Sequence, residues 1–269
     1  MIVALIAVAV LIALYLLALR GRTGHPLLRK LRRWKYAHRG LHGDGVPENS
    51  MAAFRLALDN GYGIELDVHL LADGNLAVIH DASLKRTAGA DVQIESLKTE
   101  QLSQYRLEGT WQTIPTFRQV LDLYAGKAPL IVELKPENGN HAALTDAVCR
   151  ALENYPGLYC IESFDPRCIR WLKENRPSIV RGQLAHNSLH EGKGKIPYFL
   201  RFLMTNLLSN FWNTPDFIAY RFCDRERLSV RIARKFWKIQ GVSWTLQTQE
   251  EYETAVAENW IPIFEGFKP

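Results

Sequence analysis

The sequence predicts an α/β protein built as a TIM (β/α)8 barrel, with a small insertion after the second strand and an N-terminal transmembrane helix. Eight short apolar runs indicate strands, and segments with helical periodicity separate them. These runs lack regular polar alternation, as expected for parallel strands covered on both faces. The chain length of 269 residues fits the roughly 250 residues typical of such barrels.

The first predicted element is the apolar stretch 1–19, which carries no charged side chain. Its 19 residues would span about 28 Å as a helix, close to the roughly 30 Å of a bilayer core. No basic region precedes this stretch and no small-residue cleavage site follows it, so an uncleaved anchor is favoured over a signal peptide. We therefore expect a single-pass protein of the cell membrane.

A basic segment, 20–35, follows the predicted anchor and separates it from the barrel domain, 36–269. Residues 1–35 contain seven bases and no acid, which leaves the rest of the chain with 26 bases against 28 acids. The positive-inside rule then predicts a cytoplasmic barrel domain, and the bases favour contact with anionic lipid headgroups. The nearly neutral barrel domain argues against a nucleic-acid partner.

The elements of the barrel domain follow one another in strand–helix order. The predicted strands are 36–38, 63–68, 130–134, 159–163, 179–184, 217–221, 242–246 and 261–265. The predicted helices are 51–60, 117–126, 142–154, 167–174, 226–237 and 250–258. Ser50 is a candidate N-cap, and Thr116 with Gln119 has the spacing of a capping box.

Two stretches interrupt this alternation. Asp73 and Gly74 indicate a hairpin turn after the second strand, and the polar segment 83–115 that follows is too long for a plain connection. The second interruption, 186–216, is apolar, aromatic and lightly basic. It suits a helix in the membrane interface as well as one buried against the barrel, because periodicity alone does not separate the two.

Acidic side chains concentrate at two predicted strands. Glu65 and Asp67 are two residues apart on one strand and so share a face, and Glu133 with Lys135 repeats this spacing on another. Three carboxylates form an oxygen-only site suited to one divalent cation, Mg²⁺ or Ca²⁺. The alternative to a metal site is that these residues form two structural ion pairs, one between Glu133 and Lys135 and one between Glu65 and Arg39. The accompanying histidines favour the metal site.

Two histidines are candidates for acid–base catalysis. His38 and His80 each follow an apolar run, in AHRG and VIHD. Phosphodiester cleavage needs one group that takes a proton from the nucleophile and one that gives a proton to the leaving alcohol, and imidazoles do both near neutral pH. Arg39 and Lys135 could hold the phosphate oxygens.

These residues lie in motifs that resemble a known family. AHRGLHGDGVPENSMAAF, GIELDVHLLADGNLAVIHD, LKRTAG and IVELKPE, in this order, look like the glycerophosphodiester phosphodiesterases, and the anchor and second insertion resemble their membrane-bound bacterial branch. The resemblance implies a TIM barrel, a divalent cation, and hydrolysis of glycerophosphodiesters to sn-glycerol 3-phosphate and an alcohol. By position it implies catalytic His38 and His80, metal ligands Glu65, Asp67 and Glu133, Glu48 as a further candidate ligand, phosphate-contacting Arg39, active-site Lys135, and Trp244 walling a glycerol pocket.

The resemblance is weaker at the end of the barrel. Gln247 stands where the family often has Asn, and the last strand ends in Phe264-Glu265-Gly266-Phe267 where Thr-Asp is usual.

Two alternative functions remain open: a lysophospholipase D or sphingomyelinase D-like enzyme acting on membrane lipids, and a non-catalytic lipid-binding module. The sequence also leaves open the headgroup alcohol, the preferred cation, the acid and base assignment, the nucleophile (water or the glycerol 2-hydroxyl) and the oligomeric state.

Overall fold

The protein forms a closed parallel barrel in a computed structural model that describes residues 1–189 and 196–269. The strands are β1 Tyr36–Ala37, β2 Gly63–Leu70, β3 Leu76–Val78, β4 Leu130–Leu134, β5 Tyr159–Ser163, β6 Arg181–Ala185, β7 Phe217–Arg221, β8 Gln240–Leu246 and β9 Trp260–Phe264. The barrel order is β1-β9-β8-β7-β6-β5-β4-β2, and a further pairing of β1 with β2 closes it. All these pairings are parallel, and β3 adds antiparallel to β2. The predicted TIM-like barrel is confirmed.

The helices lie mainly between the strands. They are α1 Ile2–Ala18, α2 Leu28–Leu31, α3 Met51–Asp59, α4 Lys85–Ala88, α5 Phe117–Tyr124, α6 His141–Leu152, α7 Pro166–Asn175, α8 Tyr198–Thr205, α9 Asn210–Asn213, α10 Leu228–Arg231 and α11 Gln249–Ala257. Helix α10 continues into a π-helical turn, Ile232–Phe236, within the predicted helix 226–237.

The predicted helix starts are formed by the expected hydrogen bonds. The Ser50 hydroxyl accepts from the backbone N–H of Ala53 and caps α3, while Thr116 and Gln119 form the capping box that begins α5. These bonds satisfy backbone donors that the first turn of a helix leaves free. The hairpin predicted after the second strand is also present, with Val68, at the end of the predicted strand, paired to Val78.

The first insertion, 83–115, has a small hydrophobic cluster of its own. Leu84, Ile94, Leu102 and Leu107 are buried there, together with Ile79 from the segment after β3. Four α-helical residues and short 3-10 turns make up its regular structure. The insertion therefore folds as a compact cap beside β2 and β3, with α4 close behind His80.

The structure does not support the predicted transmembrane helix 1–19. Within the described residues, no helix is both long enough and apolar enough to cross a membrane. Helix α1 has 17 residues and ends at Ala18, and the C-cap residue Leu19 is fully buried in the barrel core. The Asn210 amide donates to the Leu19 carbonyl, and the Trp237 indole donates to the Leu16 carbonyl at 2.7 Å. One end of the apolar stretch thus belongs to the barrel.

The second insertion, 186–216, includes residues 190–195, which lie outside the described residues. Its described part forms α8 and α9. Helix α8 exposes several large apolar side chains, among them Tyr198 and Phe199, which are 62% and 66% exposed. A helix fully buried against the barrel, one of the two alternatives for this segment, therefore does not describe α8.

Candidate active site

The predicted site residues meet where the first strands of the barrel end. His38 and Arg39 directly follow β1, Glu65 and Asp67 lie on β2, and Glu133 lies on β4. The parallel register places Asp67 opposite Glu133, so both carboxylates lie at the same level. In TIM barrels this carboxyl end of the strands is where ligands bind.

Three of these side chains form a buried carboxylate cluster. One oxygen each from Glu65, Asp67 and Glu133 can be chosen so that all three lie within 4.8 Å of one another. All three residues are buried, with exposed fractions of 2%, 1% and 7%. In the described part of the chain, Glu65 Oε1 has no hydrogen-bond partner, a costly state for a buried carboxylate oxygen. The cluster therefore has the oxygen donors and the unsatisfied charge that a hard cation requires.

The environment drives the pKa values of these three carboxyls apart. Burial, with the neighbouring Asp67 and Glu133 carboxylates, raises the pKa of Glu65 well above its usual value. Burial raises the pKa of Glu133 to about 7, although the Lys135 ammonium lowers it. Burial also opposes ionisation of Asp67, but Lys135, His80 and Arg39 hold its pKa well below the usual range. In the absence of a cation, Glu65 and Glu133 thus tend to retain their protons, whereas Asp67 is ionised.

Lys135 carries the positive charge closest to the cluster. Its Nζ lies 3.0 Å from Asp67 Oδ1 and 2.6 Å from Glu133 Oε1. These two carboxylates raise the pKa of Lys135 above its usual value despite burial, which acts in the opposite direction. The ammonium is therefore held charged beside the oxygens, where it can meet a phosphate.

Arg39 links the cluster to Glu48. Its backbone N–H donates to Glu65 Oε2 at 3.1 Å, in a left-handed conformation with φ 53°. Its guanidinium donates to both Glu48 oxygens at 3.0 and 3.1 Å. Glu48 also accepts from Arg86 at 2.6 Å, so two guanidinium groups occupy its carboxylate. The proposed ligand role of Glu48 stays a prediction, and its present contacts are with these cations.

Each candidate histidine has a carboxylate behind its Nδ1 atom. His38 Nδ1 lies 2.6 Å from Glu265 Oε2, and its Nε2 lies 3.8 Å from Glu65 Oε2. His80 Nδ1 lies 2.6 Å from Asp81 Oδ1. A carboxylate accepts the proton of Nδ1 and so fixes the tautomer, which makes Nε2 the reactive nitrogen. The two imidazoles are thereby oriented in the same manner.

The charges behind His80 form a short chain. Burial lowers the pKa of His80, and Lys135 and Arg39 lower it further against the opposing effect of Asp67. Arg86 Nε donates to Asp81 Oδ2 at 2.5 Å, and its other end contacts Glu48. Burial opposes ionisation of Asp81, but its hydrogen bonds from Arg86 and His80 hold its pKa at about 2. Asp81 is therefore ionised at neutral pH.

Several polar residues of the site are not among those predicted from the sequence, including the two described above behind His80. Glu162 is buried on β5 in register with Glu133, and burial raises its pKa well above the usual value. Its position near the carboxyl end of a predicted strand was a usable signal. Asn49 donates to Asp67 Oδ2 at 2.7 Å from a loop, and in the sequence it stands directly after Glu48. Glu265 was noted only as a departure from the family pattern.

Glu265 also approaches a second histidine. His42 Nε2 lies 3.6 Å from Glu265 Oε1, so His38, His42 and Glu265 form another group of atoms that could hold an ion. This group mixes nitrogen and oxygen donors and is half-buried. The three-carboxylate cluster matches Mg²⁺ and Ca²⁺ better, since both prefer oxygen ligands.

A cavity of about 1070 Å³ adjoins this cluster. Its inner end is lined by His80, Glu133 and Lys135. Phe164, beside Lys135, also lines it and packs edge-to-face on Trp244 with ring centroids 5.7 Å apart. In the described part of the chain the buried Trp244 Nε1 has no hydrogen-bond partner. Trp244 thus packs against Phe164, which lines the cavity, and its role as the wall of a glycerol pocket stays a prediction.

The sequence from residue 38 to residue 261 matches the model of the Glycerophosphoryl diester phosphodiesterase family. The chain belongs to this family. The match includes every predicted site residue, from His38 to Trp244.

Individual relatives support this assignment. A glycerophosphodiester phosphodiesterase of Bacillus altitudinis is 37% identical over 167 residues, which are 58% of this chain and 68% of that protein. Glycerophosphodiester phosphodiesterase 1 of Bos taurus is 28% identical over 261 residues, covering 84% of this chain and 76% of its own. A lysophospholipase D of Rattus norvegicus is 34% identical over 115 residues, 38% of this chain and 36% of that protein.

Solved structures have the same fold. A phosphodiesterase of Oleispira antarctica, solved in complex with the product sn-glycerol-3-phosphate, is 20% identical with a TM-score of 0.70, covering 86% of this chain and 92% of its own. At that identity the likeness concerns the fold. A glycerophosphodiester phosphodiesterase of Thermotoga maritima is 26% identical with a TM-score of 0.64, with the same coverage of 86% and 92%.

Proposed function

We propose that the protein hydrolyses glycerophosphodiesters to sn-glycerol 3-phosphate and an alcohol. The observation that carries the proposal is the pair of carboxylate-backed imidazoles, His38 and His80, beside a buried oxygen cluster at the carboxyl end of the barrel. Proton transfer at two places is what displacement at a phosphodiester requires. Family membership supports the same reaction class.

Glu65, Asp67 and Glu133 would hold one divalent cation, Mg²⁺ or Ca²⁺. Two observations support this metal site: all the donors are oxygens, and Glu65 Oε1 has no hydrogen-bond partner among the described residues. When bound, the cation supplies positive charge that offsets the negative charge developing on the phosphate. Lys135 adds a fixed ammonium at the same place, and Arg39 adds a guanidinium that lies 3.5 Å from Asp67 Oδ2.

One histidine accepts the proton of the nucleophile through Nε2, and the other donates a proton to the departing alcohol oxygen. Glu265 and Asp81 stabilise the positive charge that each imidazole carries during this exchange. Either order of roles uses the same two nitrogen atoms. Trp244 would support the wall of the glycerol pocket through its edge-to-face contact with Phe164, which lines the cavity.

We also propose that the chain works at a membrane surface, with the barrel domain facing the cytoplasm. The apolar helix α1, whose 17 residues are all at least partly exposed, and the bases that follow it support attraction to a bilayer with anionic headgroups. Sedimentation with vesicles of neutral and of anionic lipid tests this: the protein should pellet with the anionic vesicles and be released by salt. Equal recovery in the supernatant with both would contradict it.

Choline release from glycerophosphocholine tests the phosphodiesterase proposal. The detergent-solubilised protein should release choline and glycerol 3-phosphate, lose this activity with EDTA, and regain it with Mg²⁺ or Ca²⁺. A folded, metal-loaded protein without turnover would overturn the proposal and favour the lipid-binding module. A lipid diester is a second candidate substrate, favoured by the apolar outer half of the cavity.

A further inference from the structure

The cavity beside the catalytic cluster has both a polar and an apolar lining. Charged side chains such as Glu137, Asp165 and Arg167 line part of it, and a set of apolar side chains comes from two helices outside the barrel. The last turns of α1 contribute Leu14, Tyr15 and Ala18, and helix α8 contributes Leu200, Leu203 and Met204. We call the part of the cavity that these six residues line the apolar groove.

The apolar groove is larger than a small polar diester needs. Pockets that enclose drug-sized ligands measure about 300–1000 Å³, and the whole cavity reaches about 1070 Å³. A water-soluble glycerophosphodiester is charged and fully polar, so it gains nothing from walls of leucine and methionine. The outer walls therefore suit a different part of a larger substrate.

The groove is built by positions with helical spacing and is fixed to the barrel. Leu200, Leu203 and Met204 follow an i, i+3, i+4 pattern, so they form one face of α8. The end of α1 is held opposite by the Trp237 and Asn210 hydrogen bonds to its last carbonyls. Two separately anchored helices thus face each other across a continuous opening that leads to the catalytic groups.

The groups that line the cavity match the two ends of a phospholipid with one acyl chain. Lys135 lines the cavity beside the carboxylate cluster, where a phosphate would be held. Phe164 lines it next to Lys135, whose Nζ lies 5.9 Å from the Phe164 ring centroid, and Trp244 packs behind Phe164. The six residues of the apolar groove line the same cavity. A phospholipid with one acyl chain joins a phosphate to an apolar chain through glycerol, and this cavity offers a site for each of these two ends.

We propose that the apolar groove binds the single acyl chain of a lysophospholipid whose phosphodiester occupies the catalytic cluster. This inference rests on the proposed phosphodiesterase function and names a substrate class for the same site. Water adds to phosphorus, the bond from phosphorus to the headgroup oxygen breaks, and the headgroup leaves as an alcohol that takes up a proton. The acylated glycerol phosphate remains as the second product, with its chain still in the groove.

A series of lysophosphatidylcholines tests the proposal, with glycerophosphocholine as the member without a chain. Both release choline, so one assay reads the whole series. With acyl chains of about six to twelve carbons, below their critical micelle concentrations, kcat/KM should rise by up to about fourfold for each methylene that the groove buries. It should level off once the chain outgrows the groove.

Two substitutions on α8 form a matched pair. Leu200 lines the groove and Phe202 does not, yet their exposed fractions are similar at 46% and 41%. Leu200→Asp should raise KM for a decanoyl substrate by about tenfold or more, because it places a charge against the chain. Its kcat/KM for glycerophosphocholine should stay within about twofold of wild type, since that substrate has no chain. Phe202→Asp should leave both substrates within about twofold.

The outcomes separate the two proposals. If glycerophosphocholine is hydrolysed but kcat/KM does not rise with chain length, the groove proposal is overturned and the phosphodiesterase proposal stands. The same conclusion follows if Leu200→Asp and Phe202→Asp raise KM for the decanoyl substrate equally. Calorimetric binding of decylphosphocholine gives a readout without turnover. Binding that Leu200→Asp weakens and Phe202→Asp preserves, in a protein that hydrolyses neither substrate, would support the groove and overturn the phosphodiesterase. Equal binding by all three proteins would overturn the groove.

Discussion

The carboxylate cluster and the apolar groove adjoin one cavity, and both place side chains in an unfavourable environment. The cluster buries polar groups, whereas the groove exposes apolar ones. At the inner end, Glu65, Asp67 and Glu133 are carboxyl groups held away from water. At the outer end, Leu14 and Leu200 are large apolar groups left 57% and 46% exposed. Burying adjacent carboxyl groups and exposing clustered apolar surface both cost free energy. A ligand that brings a cation and phosphate to one end and a chain to the other offsets both costs.

The two ends also differ in how firmly the fold positions them. The inner groups lie on or directly after β1, β2 and β4, which hydrogen-bond to their neighbours in register. The outer groups lie on α1 and α8, which contact the barrel through a few side chains. Chemistry needs fixed geometry, whereas binding of an alkyl chain tolerates adjustment. We therefore expect substitutions at the inner end to change kcat and those at the outer end to change KM.

The largest effect is expected from removing either imidazole. His38→Ala and His80→Ala should each lower kcat for glycerophosphocholine by about 10²- to 10⁴-fold, because each removes one proton-transfer group. His25→Ala is the control, since that ring contacts the Ser178 carbonyl and lies outside the cluster. Initial-rate kinetics with circular dichroism of each variant checks this. Activity within a few-fold of wild type in both site variants would contradict the assigned chemistry.

Weakening the carboxylate cluster is expected to rank next. Glu133→Gln should lower metal content and kcat/KM by about 10²-fold or more, because a cation at a developing charge supplies several kcal/mol. Glu137→Gln is a matched control, since Glu137 lines the same cavity but is exposed. Metal content by mass spectrometry and kinetics over a range of Mg²⁺ and Ca²⁺ concentrations measure both effects. If the variant keeps full metal content and activity, the cluster is not the metal site.

A smaller loss should follow when the carboxylates behind the imidazoles are neutralised. Glu265→Gln and Asp81→Asn leave the histidines in place but remove the charge that orients Nδ1. We expect kcat to fall by about tenfold, less than the 10² or more expected from loss of an imidazole. The pH profile of kcat should shift as well, because the carboxylate no longer stabilises the protonated ring. A changed KM with an unchanged kcat and pH profile would indicate a structural role instead.

The smallest predicted effect is on stability. The ionised Asp81 is favoured in the folded protein, with a pKa of about 2 against 3.8 ordinarily, so its stabilisation is present above pH 3.8 and is lost as the pH falls towards 2. Because the Asp81 side chain is 28% exposed, solvent screens part of its interactions, and we expect Asp81→Asn to cost roughly 0.5–1 kcal/mol at pH 7. Urea unfolding of both proteins across this pH range measures it. A stability difference that grows on acidification would contradict this.

The inner end of the cavity could be predicted from the sequence because its residues follow local rules. Glu65, Asp67 and Glu133 occupy strand positions with period two, so their common face could be inferred without knowing the fold in detail. Glu162 obeys the same rule, and attention to strand ends would have found it. Glu265 does not: it meets His38 across 227 residues of sequence because β9 closes the barrel against β1.

The outer end shows where sequence patterns stop being informative. The stretch 1–19 is apolar throughout, yet Leu19 leaves the helix to join the core, and no local signal marks that boundary. For 186–216 the periodicity predicts a helix but not which face meets the barrel. The position of the apolar groove depends on how α1 and α8 dock, a tertiary fact that neither segment encodes alone.

The most direct test of the account is choline release from glycerophosphocholine by metal-depleted protein, titrated with Mg²⁺ and Ca²⁺, for wild type, His38→Ala and His80→Ala. The account predicts no release without metal, saturable recovery in wild type, and recovery reduced by about 10²-fold or more in both variants. Release that is independent of metal, or equal in all three proteins, would contradict it.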